Sequence, residues 1–130
     1  MDPYLRIGIK AAKKSTHRVK HAAILTRSGK ILNIGVNSNK TDPIFSKDPS
    51  LNRSNPPSKL VAKVHAEQIC LKGISEKDLK GAEMYVLRMS KKKGLGNSKP
   101  CAMCMRLLVK AGLKRVHWTE DYGAWKSQKL

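Results

Sequence analysis

Four side chains in this sequence are of the kinds that hold a metal ion and move a proton beside it. His65 and Glu67 stand in Val64-His65-Ala66-Glu67, and Cys101 and Cys104 stand in Pro100-Cys101-Ala102-Met103-Cys104. Cysteines three apart at the start of a helix project toward the same side, so both sulfurs can reach one ion, and His65 offers an imidazole from another element. Structural zinc sites are usually closed by four protein ligands, whereas catalytic ones keep a corner for water. A His/Cys/Cys set therefore points to zinc with an open position and a hydroxide made near neutral pH. Glu67, two residues beyond the histidine, is the proton carrier within reach. The third cysteine, Cys70, lies one turn further on and reads as a small core residue. A purely redox Cys-x-x-C is conceivable, but it leaves His65 and Glu67 without a role.

The elements that must position these groups follow from capping and periodicity. Asp2-Pro3 reads as a helix start, with a helix over 3–14. His21 to Arg27 and Lys30 to Asn37 read as strands joined by Ser28-Gly29, a two-residue connection suited to a tight hairpin. The polar, proline-containing stretch from Ser38 to about Lys59 reads as a lid over a site or as a plain connector. A helix is expected from about Val61 to Lys72, stopped by Gly73. Glu83 to Met89 reads as a strand, Ser90 to Lys99 as a basic loop, and Pro100 to Ala111 as a helix ended by Gly112. Arg115 to Thr119 is a further strand, Asp121-Tyr122-Gly123 a turn, and Ala124 to Lys129 a short returning strand. This order predicts an α/β fold: one mixed sheet of four to five strands with helices on both faces. Residues 1–130 read as a single domain.

The H-x-E and P-C-x-x-C pair, in this order and between strand and helix, resembles the signature of the zinc-dependent cytidine and deoxycytidylate deaminase superfamily. The similarity runs from the Ser28-Gly29 hairpin to the strand after the second motif. It implies a cytidine deaminase-like three-layer sandwich with one Zn2+ per chain on His65, Cys101 and Cys104. It also implies that Glu67 carries a proton from the attacking water to the ring nitrogen and then to the departing ammonia. Gly35-Val36-Asn37 resembles the family's G-x-N segment, which makes Asn37 a contact to sugar or base. Ala66 matches the position whose backbone amide meets the base carbonyl.

The chain carries 27 Lys plus Arg against 9 Asp plus Glu, a formal charge of +18, and 40% of its residues are hydrophobic. That composition fits a folded protein with a field that attracts polyanions. Phosphorylated substrates, nucleotide or nucleic acid, are the expected partners, with Lys91, Lys92, Lys93 and Lys99 in the loop feeding the second motif as candidate phosphate contacts. Lys10, Lys13, Lys14, Arg18 and Lys20, with Lys110, Lys114 and Arg115, form a polynucleotide track if they share a face and favour a small substrate if they do not. No apolar run reaches the ~18 residues of a membrane span, and the first residues do not read as a signal peptide, so a cytoplasmic protein without membrane partners is expected. Leu107, Leu108 and Ala111 leave homo-oligomerisation possible. The expected reaction is hydrolysis of cytosine to uracil and ammonia. The alternatives are tRNA adenosine editing, which the PCAMC form resembles but a short C-terminal end disfavours, and a non-catalytic nucleic-acid-binding module that keeps the fold.

Overall fold

The computed structural model describes residues 3–16, 19–37, 65–90 and 94–130. Pro3 opens the first helix, α1 (Pro3–Ala12), as its fixed backbone angle allows. Strands β1 (His21–Arg27) and β2 (Lys30–Val36) form the expected hairpin. Its connecting residues, Ser28 and Gly29, both have positive φ (51° and 79°), the turn whose twist matches that of the strands it joins. The chain then supplies α2 (Ala66–Leu71), the one-turn α3 (Glu76–Leu79), β3 (Glu83–Ser90), β4 (Gly94–Gly96), α4 (Ala102–Ala111), β5 (Arg115–Thr119) and β6 (Trp125–Lys129). A single turn of 3-10 helix at Asp121–Gly123 links the last two strands where a turn was expected.

The strands make one mixed sheet in the order β2-β1-β3-β5-β6, with β4 paired to β3. Among the described strands only the β3–β5 pair is parallel, because α4 carries the chain across one face before β5 is laid down. Alternation along the strands sends neighbouring residues to opposite faces. Ala22 and Leu87 pack with Ala12, Leu5 and Ile9 of α1 on one side. Ala23, Leu25, Met84, Val86, Val116 and Trp118 pack with Ala66, Cys70 and Leu108 on the other. The helices therefore cover both faces, as the sequence predicts.

Three details differ from the sequence-based expectation. Among the described residues the sheet has six strands rather than four or five, because Gly94-Leu95-Gly96 adds a short strand through pairs such as Met89 with Leu95. Two glycines around one apolar residue carry no alternation that could announce it. Leu79 buries the one-turn helix α3, which Ser75 caps by accepting a hydrogen bond from the Asp78 backbone N–H. Finally, His65 has extended backbone (φ −89°, ψ 153°), so the helix expected from Val61 starts only at Ala66; 61–64 and the 38–59 segment lie outside the described residues. No described helix is long and apolar enough to cross a membrane.

Candidate metal centre

The first residues of two helices meet on the side of the sheet opposite α1. His65 caps α2, its backbone N–H donating to Gln68 Oε1 at 2.8 Å, which holds the imidazole at the helix mouth. Cys101 caps α4: its backbone is extended (φ −66°, ψ 167°) and its sulfur accepts from the Cys104 N–H at 3.5 Å. The helix therefore starts at Ala102, with Pro100 one residue before the cap rather than opening the helix as the sequence suggests, and Gly112 in left-handed conformation (φ 88°) closes the far end. The loop before Cys101 is fastened from below by buried hydroxyls. Ser98 Oγ donates to Val86 O at 2.8 Å and accepts from the Thr119 N–H at 2.9 Å, and Thr119 Oγ1 donates to Gly96 O at 2.8 Å. This clasp has no counterpart in the sequence-based expectations, since Ser and Thr at these positions carry no periodic signal.

His65 Nδ1 lies 3.4 Å from Cys104 Sγ and 3.9 Å from Cys101 Sγ, and the three ligand atoms are within 4.8 Å of one another. A tetrahedral zinc with N and S ligands needs an N···S separation of about 3.6 Å. Among the described residues this is the one cluster with such a donor set. The electrostatics agree. The Cys101 thiol is held down to about 4, first by its hydrogen bond with Cys104, while burial and His65 act with opposite signs. Cys104 is pushed far up by the same sulfur–sulfur contact, by burial and by Glu67. Two sulfurs and a carboxylate thus compete to be anionic in one place, a conflict that a dication relieves. The residues present fit one Zn2+.

Glu67, on the first turn of α2, is 6% exposed. Burial pushes its carboxyl above the ordinary value, opposed by its own backbone N–H, by the charge of His65 and by a hydrogen bond with Cys104. Ala66, between ligand and acid, is fully buried. Asn37 lies just past β2, with its amide largely committed. Oδ1 accepts from Ser15 Oγ at 2.7 Å and from the His21 N–H at 2.9 Å, and Nδ2 donates to Val19 O at 2.7 Å. Lys99 is exposed, its ammonium 5.6 Å from the centre of the Trp118 ring. Lys91, Lys92 and Lys93 lie outside the described residues.

Cys70 is fully buried, as the sequence suggests, and donates to Ala23 O at 3.4 Å. Burial pushes its thiol up to about 12, with backbone hydrogen bonds acting the other way. A raised value means less thiolate at every pH below it. Native zinc-loaded protein treated with iodoacetamide at pH 8 is therefore expected to leave Cys70 unmodified by peptide mapping; rapid labelling of Cys70 would contradict its placement.

A mixed sheet covered on both faces, with an imidazole and two thiols gathered at two helix starts, defines an α/β protein with a three-ligand metal site of the zinc type. The chain belongs to the family described as the cytidine and deoxycytidylate deaminase zinc-binding region, which matches residues 2–120. Among solved structures it is similar to the dCMP deaminase of cyanophage S-TIM5 in complex with dCMP and dUMP. That likeness has 24% identity and a TM-score of 0.57, over 94% of this chain and 85% of that one. It is also similar to the cytidine deaminase of Burkholderia pseudomallei, with 17% identity and a TM-score of 0.62, over 99% of this chain and 93% of that one. The RibD protein of Acinetobacter baumannii shares the fold at 19% identity and a TM-score of 0.52, over 89% of this chain but 27% of its own length. A comparison with curated proteins finds no match.

Proposed function

We propose that this protein hydrolyses cytosine to uracil in a phosphorylated substrate, a nucleotide or a single-stranded nucleic acid. Water adds its oxygen at C4, the C4–N bond breaks, and ammonia leaves. The observation that carries this reading is the meeting of His65, Cys101 and Cys104 beside a buried Glu67. Zinc, when bound by those three residues, supplies the Lewis acidity that makes water a nucleophile near neutral pH.

The chain's own groups supply the rest. Glu67 takes the proton that water loses, delivers it to the ring nitrogen, and protonates the amine as it departs. Its burial suits this role, because a carboxyl that is easier to protonate than usual can both accept a proton and return it. The Ala66 backbone N–H meets the base carbonyl. Asn37 contributes the amide N–H not used in its bond to Val19, and its other bonds hold the end of β2 in place. Lys99 and the Lys91-Lys92-Lys93 run provide charge for a phosphate.

Zinc-loaded protein incubated separately with cytidine, CMP, dCMP, dCTP, single-stranded DNA and RNA, with ammonia and uracil measured, tests the reading. Turnover of one or more phosphorylated cytosine substrates in preference to cytidine is expected. Turnover of cytidine alone, or of adenosine in tRNA alone, overturns it.

A further inference from the structure

The outer side of α1 is strongly cationic, and it stands apart from the metal centre. Arg6, Lys10, Lys13 and Lys14 are all exposed, spaced so that they follow one another along the helix and its last turn. No Asp or Glu occurs anywhere from Pro3 to Thr41. Among the described residues none of the four has a carboxylate partner; the ion pairs there are Arg27 with Asp78, His117 with Glu83, and Lys126 with Glu120. Like charges one helical turn apart repel, so the stripe weakens the helix that carries it unless something anionic sits against it.

The rest of this side of the molecule agrees in sign. Tyr4 of α1 stacks on Tyr85 at 4.3 Å, and Tyr85 stacks on His117 at 4.2 Å, which fixes the first turn of α1 to β3 and β5. Arg115 pairs with Lys129 in the sheet and stands in the same alternation as His117, so both cations face the α1 side. Glu83, which shares that face, is engaged by His117 Nε2 at 2.9 Å. The helices that carry the zinc ligands pack on the opposite face. Lys110 of α4 is therefore across the sheet from Lys10, and these described cations do not converge into one track through the metal centre.

We propose that the α1 face, with Arg6, Lys10, Lys13 and Lys14 at its centre, is a docking surface for the sugar–phosphate backbone of a nucleic acid, separate from the catalytic pocket. A chain of phosphates matches by charge alone a row of cations that have no carboxylate partner among the described residues, and it gains from releasing its counterions. A membrane surface fits less well. An interfacial helix needs its apolar face for the lipid, and the apolar face of α1 (Leu5, Ile9, Ala12) is already spent on the sheet. Docking here is independent of deamination and survives even if the metal centre proves inactive.

The test uses the full zinc-loaded chain and a fluorescent oligo(dT), which has no cytosine to offer the pocket. Anisotropy titrations are expected to show binding that weakens about 50-fold for a fourfold rise in salt, the dependence of about four phosphate contacts to a single strand. The variant R6Q/K10Q/K13Q/K14Q is expected to lose at least about tenfold in affinity and most of the salt slope, with dCMP turnover unchanged. A charge-matched control, K72Q/K77Q/K80Q/K110Q, removes four exposed cations from the other side and is expected to bind like the parent. The charge-conserving variant R6K/K10R/K13R/K14R is expected to retain binding, which separates charge from folding. Equal losses in the two glutamine variants would show that net charge alone is at work and overturn the proposal. So would parental affinity in the α1 variant, or binding of phosphatidylserine vesicles by the parent without binding of oligo(dT).

Discussion

Replacing Glu67 by Gln is expected to lower kcat on the preferred cytosine substrate by about 10²–10⁴-fold, the range lost when a positioned proton carrier is removed. Zinc content is expected to stay at the parental level, because the three metal-directed atoms belong to His65, Cys101 and Cys104. Gln has the size of Glu and makes no new clash, but its amide cannot take a proton from water or return one to a ring nitrogen. The thermal midpoint should hold or rise. The carboxyl is kept in a buried setting that opposes its charge, and a neutral amide avoids that cost. Kinetics, metal analysis and melting on one preparation check all three outcomes. A Gln variant as fast as the parent would place the proton carrier elsewhere, and one that lost its zinc would make Glu67 part of the metal's support.

What could be read from the residues alone, and what could not, divides along a physical line. Signals confined to a few neighbouring residues were legible: Ser28-Gly29 as a turn with two positive φ angles, Gly112 as a helix stop, and Cys101 and Cys104 on one side of a helix start. Properties set by partners far along the chain were not. The strand Gly94–Gly96 exists because the end of β3 offers it hydrogen bonds, and the start of α2 is set at Ala66 by His65 adopting an extended backbone. Asn37 is a sharper case. The G-x-N resemblance places it at the substrate, yet its hydrogen bonds to Ser15, Val19 and His21 make it first of all a brace between the segment after α1 and the β1–β2 hairpin. The charge behaves similarly. A count of +18 says that polyanions are attracted, but only the strand alternation shows that the α1 cations and those of α4 stand on opposite faces.

Gly35→Ala is expected to be the most damaging single methyl in the protein. Gly35 sits in β2 opposite Ala23, and a Cβ there would run into Ala66 O while lying 2.6 Å from Cys70 N and 3.0 Å from Cys70 Cα. All three atoms are backbone of α2, so no side chain can swing aside. To reach ordinary contact the helix must retreat by about 1 Å. Ala66 is flanked by His65 and Glu67, so that retreat moves the candidate metal ligand and the proposed proton carrier together, away from sulfurs held on α4. A misplacement of about 1 Å can cost about 10²-fold in rate, and overpacking of this kind costs about 1–3 kcal/mol in stability. The variant should therefore show both lower zinc occupancy and lower kcat. Gly8→Ala supplies the contrast. Its Cβ would run into Leu87 Cδ2, but that obstacle is the end of a side chain on the other face of the sheet. That variant is expected to melt earlier while keeping parental zinc content and kcat. Equal loss of metal in both variants would mean that general destabilisation, rather than the packing of α2 on β2, governs the site.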